Sequence, residues 1–292
     1  MSVLNKGTLF PTTLESEIFS KVKGHSSLAK LSGQEALPFN GKDVFTFNFS
    51  GDVSVVGESA AKPAGDGVVA PVSMQPVKVV YQMRVSDEFM YASDEYKLNI
   101  LASFGEGFAK KLGAGLDKMA IHGINPATGS TVANLLSKSF DTLVTNKVEY
   151  TPATVDVDID SAVALVEANE YAVNGAIIAP ATRGAISALS ANGARKYPEF
   201  AFGATPATLG AMNLDTNATV SANNSVDRAI VGDFSAFKWG IAKELPLEVI
   251  EYGNPDGQGD LKQYNQIVLR SEAYIGWAIM DADAFAKVTD EA

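Results

Sequence analysis

The stretch DEYKLNILASFGEGFAKKLGAGLDKMAIHG, residues 94–123, decides how the rest of the chain is read. Leu101, Phe104, Phe108, Leu112, Leu116 and Met119 recur three or four residues apart, which gathers them on one face of an α-helix. Asp94 and Glu95 stand in the first turn, where the helix dipole favours negative charge, and Gly123 is placed as a terminator. At 1.5 Å per residue, about 29 residues make a rod of roughly 43 Å. Glycines at 105, 107, 113 and 115 each cost up to about 1 kcal/mol relative to alanine. Their presence implies a bend or the close approach of neighbouring backbone.

Upstream of this rod, Val77 to Val85 alternates, with Val77, Val79, Tyr81, Met83 and Val85 on one face and Lys78, Gln82 and Arg84 on the other. Val44 to Phe49 alternates in the same way and sets Phe45, Phe47 and Phe49 together. Between the two strands lies GDVSVVGESAAKPAGDGVVAP, residues 51–71, a Gly, Ala and Pro-rich connection of a length that compact domains seldom carry without a use for it. A long hairpin with a pliable tip is the simplest reading. Further upstream, residues 11–23 predict a short amphipathic helix, with Thr12 and Glu15 as a capping box and Leu14, Ile18 and Val22 along one side.

Downstream, Asp160 is placed to cap a helix through Tyr171, Asn174-Gly175 turns the chain into the apolar run AIIA, and Pro180 opens another helix. Residues 201–224, rich in Gly, Ala and Asn, predict loops or edge structure. Three strand-like runs follow, at 229–231, 247–252 and 266–280. Helices and strands mix without strict alternation, so the expected class is α+β.

Composition narrows the function. The 292 residues contain no cysteine, which removes disulfides, thiolate metal sites and cysteine nucleophiles. A formal charge of −11 repels phosphate and argues against a dedicated nucleic-acid-binding domain, though not against a wall that merely encloses nucleic acid. No window approaches the roughly 18 uninterrupted apolar residues of a membrane span, and MSVLNKGTLFPTT lacks the apolar centre of a signal peptide.

Catalytic signatures are missing as well. Neither His25 nor His122 has a second histidine at metal-ligand spacing, and a surface or capping role is expected for both. There is no Gly-x-Ser-x-Gly elbow and no phosphate-binding glycine loop. Gly105 and Gly107 lie inside a helix, not at the strand-to-helix turn of a dinucleotide site. Asp156, Asp158 and Asp160 mimic the start of a calcium loop but lack its downstream glycine and glutamate, leaving helix capping and solvation as their use. No enzyme, cofactor or metal site is expected. The long hairpin, the short amphipathic arm and the rod instead ask for neighbouring subunits to cover them.

Five segments in order carry a resemblance. VVGESAAKP (55–63) with VSMQPVKVVYQMRVSDEFM (72–90), the segment ending HGINPATG (122–129), NGAIIAPATRGAISAL (174–189), GDFSAFKWGIAKELPLEVIEYG (232–253) and NQIVLRSEAYIGWAIMDADAFAKV (265–288) resemble the major capsid family of tailed bacteriophages, with the Hong Kong 97 fold. The likeness spans nearly the whole chain. It implies an N-terminal arm over 1–34, an extended loop over 35–86, a peripheral domain with the spine helix over 87–157 and 264–292, and an axial domain over 158–263. It further implies self-assembly as pentamers and hexamers into an icosahedral virion shell that encloses DNA without reading its sequence. Assembly would take place in the bacterial cytoplasm, away from any membrane, with a portal protein and a separate scaffolding or decoration protein as partners. Many relatives carry a scaffolding segment ahead of the arm; if Met1 is the native start, scaffolding here is separate or unnecessary. An encapsulin-like compartment, which shares the fold but holds enzymes, is the alternative.

The founding member of the family joins subunits covalently, a loop lysine attacking an asparagine of a neighbour with the help of a glutamate seven residues beyond it. By resemblance, Lys62, Asn265 and Glu272 are the candidates here. The favoured reading of these residues is structural, with Asn265 satisfying backbone groups and Glu272 pairing with a base such as Arg270 or one from a neighbour.

Overall fold

The structure is a computed structural model that describes residues 24–50, 53–64, 66–91 and 94–290. The helix expected over 11–23, with its capping box, lies outside the described residues. The rod forms as its periodicity requires: α2 (Asp94–His122) follows the short α1 (Ser27–Leu31), and Leu101, Phe104, Phe108, Leu112, Leu116 and Met119 are all buried. Gly123 ends it at φ +63, and a Cβ there would lie 2.3 Å from the Leu136 Cα, so the left-handed turn and the tight packing both demand glycine. At Gly107 a Cβ would meet nothing within 4 Å, and at Gly115 only Pro126 at 3.5 Å. Close backbone approach therefore does not explain these two.

Two sheets pack around α2. In the first, β1 (Gly33–Gln34), β12 (Phe237–Ile250), β13 (Gln266–Ile279) and β4 (Val77–Ser86) lie in that order. The β12–β13 ladder slips twice, between Ile241 and Lys243 and again between Leu245 and Glu248. The second slip flanks Pro246, which has no amide to give and stands beyond the reach of two-residue β1. β12 is thus far longer than the expected run at 247–252. The predicted polar face of β4 finds partners: on β13, Lys78 pairs with Glu272 at 2.9 Å and Gln82 accepts from Arg270 Nε at 2.9 Å, while Arg84 pairs at 2.5 Å with Asp256 of the segment between β12 and β13.

β4 is therefore not the hairpin partner of β2 (Lys42–Ser50). That partner is β3 (Asp66–Met74), paired with β2 over nine residues, and the connection shrinks to residues 51–65. Gly67 and Pro71 made β3 read as loop. A two-stranded ribbon has free edges on both sides, so the amide that Pro71 lacks need not be missed.

The second sheet runs β5 (Lys147–Glu149), β14 (Phe285–Thr289), β11 (Asp227–Gly232), β6 (Gly175–Ile178), β10 (Met212–Thr216), β9 (Thr208–Leu209). The 201–224 region is thus not all loop and edge, for β10 runs parallel to β6 inside the sheet. One face, through Ile177, Ile230 and Phe285, packs on the core that holds α2; the other, through Ile178, Val231 and Val288, packs on α5 (Val155–Ala168) and α6 (Pro180–Ala188). α5 starts five residues before the expected cap at Asp160. Its first turn instead holds Asp156 and Asp158, where the dipole favours them. The expected domain limits cut through this sheet, because β14 ladders onto β11 of the portion expected to be axial and β5 ladders onto β14. All five residues of β14 are buried, a condition that an interior strand meets and an edge strand does not.

Candidate functional site

Two places in the fold combine polar or exposed groups in ways that packing alone does not call for. The outer one is the β2–β3 ribbon and its tip. Val53 and Val55 at the tip are fully exposed, and Phe45 and Val69, which face solvent from the two strands, are each more than half exposed. Apolar groups displayed on a ribbon that joins neither sheet bury nothing within the subunit, and they read as a contact surface. Lys62 is exposed near the same tip.

Asn265 and Glu272 stand elsewhere. Asn265 takes the left-handed conformation at φ 53 just ahead of β13, and its carbonyl accepts from the Asp87 amide at 3.0 Å. The Glu272 carboxylate lies on Lys78, not on Arg270. No hydrogen bond or ion pair among the described residues joins any two of Lys62, Asn265 and Glu272. Of the three aspartates of the calcium-like series, Asp156 pairs with Lys196 and Tyr197, and Asp158 accepts from the Thr151 amide at 2.6 Å.

The inner place is a buried polar cluster that sequence reasoning missed. Two sites in it concern α2. Asp117, fully buried, accepts from the Ser26 hydroxyl at 2.5 Å, the Ser27 and Leu28 amides, the Thr219 hydroxyl and the Asn217 amide. It caps α1 from outside, so a carboxylate of the rod anchors the segment around Ser26 and Ser27. Burial pushes its pKa up to about 6, against the pull of these donors.

One turn further along, His122 is 5% exposed, so the expected surface or capping role does not hold. Its Nδ1 lies 2.9 Å from Asp141 Oδ2 and its Nε2 lies 3.0 Å from the Thr219 carbonyl. Asp141 is on α4 (Phe140–Leu143), which follows the equally short α3 (Ala133–Leu136). Lys287 of β14 places its ammonium 3.1 Å from Asp141 and 3.5 Å from Asp227 of β11. Lys287 shares the inward face of β14 with Phe285, two residues away, and so reaches the end of the rod. Burial raises Asp227 to about 6, and the neighbouring Asp141 carboxylate adds to the rise. Burial pushes Asp141 up, but hydrogen bonds with His122 and Asp227 and the charges of His122 and Lys287 together outweigh it and hold the group well below the usual carboxylate range.

His122, Asp141 and Asp227 offer ligand atoms within 4.8 Å of one another, a spacing a metal ion could bridge. The Lys287 ammonium already lies against both carboxylates and supplies the positive charge there. The only sequence signal for this cluster was a lysine in an otherwise apolar strand, FAKV, at 285–288.

A profile of the Phage capsid family matches residues 6–290. A solved structure from Mycobacterium phage Ogopogo is 33% identical, with a TM-score of 0.78 over 91% of this chain and 92% of that one. One from Gordonia phage Cozz is 22% identical, with a TM-score of 0.76 over 91% and 86%. A structure described as the capsid of a native GTA particle, 15% identical, superposes with a TM-score of 0.61 over 91% and 90%. No curated protein sequence matches the chain.

Proposed function

Because this chain belongs to the phage capsid family and is a major capsid protein, a subunit of an icosahedral phage shell, we propose that it builds that shell through rings of five and rings of six copies. A single sequence that closes under both rotations needs some contacts that adapt and others that do not. The stiff part is the body formed by α2 and the two sheets, whose cores share a common strand layer. The adaptable part is the β2–β3 ribbon, which joins neither sheet and displays Val53, Val55, Phe45 and Val69 to a neighbouring copy. Residues 1–34 act as an arm, 35–86 as the extended loop, the portion around α2 as the peripheral domain, and 158–263 as the axial domain that converges on the rotation axes. By the sheet to which they belong, β5 and β14 move with the axial portion.

The family is one of structural proteins, and no catalytic step is assigned to the chain. The shell encloses DNA without sequence-specific contacts, in keeping with the charge of −11. A portal protein occupies one vertex, a separate scaffolding or decoration protein completes assembly, and assembly takes place in the cytoplasm of the host bacterium. Among the described residues no helix is long and apolar enough to cross a membrane.

The observation that carries this reading is the family match from residue 6 to residue 290. Electron microscopy of the purified protein tests it. Closed shells of uniform size with five-fold and six-fold clusters are expected; protein that stays monomeric at high concentration under every salt and scaffold condition would overturn the reading.

A further inference from the structure

We propose that His122, Asp141, Asp227 and Lys287 form a proton-controlled latch between the end of α2 and the β11–β14 strand pair, closed only while the His122 ring carries both of its protons. The Thr219 carbonyl can only accept, so Nε2 facing it at 3.0 Å must carry a hydrogen. Nδ1 faces a carboxylate oxygen at 2.9 Å, and one proton must lie between the two. Asp141 also lies 3.1 Å from the Lys287 ammonium, which keeps the carboxylate ionised, so that proton resides on the ring. His122 is then an imidazolium.

The charges balance on that assignment: two cations, His122 and Lys287, face two carboxylates, Asp141 and Asp227. Each comes from a different element, α2, β14, α4 and β11 respectively, and the short helical segment Ala218–Asn224 contributes the Thr219 carbonyl. Asp117 is one step removed, joined through the Thr219 hydroxyl at 3.0 Å. Lys287, Asp227 and His122 are 3%, 2% and 5% exposed, while the Asp141 side chain is 30% exposed, so water screens the attraction chiefly at Asp141. Asp227 Oδ2 is buried without a hydrogen-bond partner and lies 4.0 Å from His122 Nδ1, where the ring's positive charge is its compensation.

Removing one proton from the ring upsets this balance. A lone pair on Nδ1 would face a carboxylate, and the cluster would hold one uncompensated negative charge among side chains that, Asp141 apart, are buried. The link between the rod and the second sheet is then released. The sign follows from the ring's pKa: burial draws it down, but the Asp141 hydrogen bond and charge raise it above the ordinary value. Its contribution to stability is complete below about pH 6.5, the unfolded value, and is lost as pH rises through the higher folded value. The inference concerns the subunit itself and does not depend on the shell reading.

The chain has two histidines, so 15N spectra of the full-length protein, in solution or by magic-angle spinning in particles, separate them. One ring is expected to titrate with its midpoint above the ordinary histidine value of 6.5, and its signal should vanish in His122→Gln. Removing a neighbouring cation in Lys287→Met should raise that midpoint further. The melting temperature of the wild type should fall on the alkaline side more steeply than that of His122→Gln. Two histidine midpoints that both lie at or below 6.5 in the wild type overturn the proposal, and that measurement needs no variant to fold. A rise in melting temperature on adding Zn2+ that is lost in His122→Gln would also overturn it, in favour of a metal site.

Discussion

Phe108 shows what a single residue contributes when periodicity alone predicts its place. It lies on the apolar stripe of α2 at 4% exposure. Phe108→Ala should cost roughly 3 to 5 kcal/mol, enough to prevent accumulation of soluble protein. Lys62→Ala, at an exposed position of the loop, should leave the melting temperature of the subunit unchanged. Equal destabilisation by the two changes, measured by thermal melting, would show that the loop is packed. His122 is the opposite case. Its neighbours in sequence, Ile121 and Gly123, say nothing of Asp141, Asp227 or Lys287, and only the fold reveals that it is enclosed.

At the scale of elements, long and strongly periodic segments were legible and short ones were not. α2, β4 and β13 ran where their patterns put them, while β3 hid behind Gly67 and Pro71 and β14 behind its length of five residues. The β2–β3 ribbon offers a test of its own. Its ladder is closed by its own nine-residue register and needs nothing from the tip. Replacing residues 51–65 by Asn-Gly, a two-residue turn suited to a hairpin, should therefore leave circular dichroism and thermal melting of the subunit near wild type. The same change should abolish closed shells in electron micrographs, because it removes the exposed valines. Shells of normal yield would show that the tip is dispensable for assembly.

For the whole molecule, the question is whether neighbouring copies are joined by covalent bonds or by contact alone. Glu272 is engaged by Lys78, which leaves it an ion-pair partner in place of the free base that a lysine attack requires. Denaturing electrophoresis of mature particles should give a single band at 30.8 kDa; a ladder that disappears in Asn265→Asp would reverse this. By itself the sequence determined the α+β class, the rod, the polar face of β4 and the absence of any thiol chemistry, because each follows from local spacing or composition. The tertiary structure alone decided that β2 pairs with β3, that β5 and β14 complete the second sheet, and that His122, Asp141, Asp227 and Lys287 meet. Strand partners are chosen by burial and by free edges, and a charge cluster by distances across the core, and neither quantity is written in the spacing of residues along the chain.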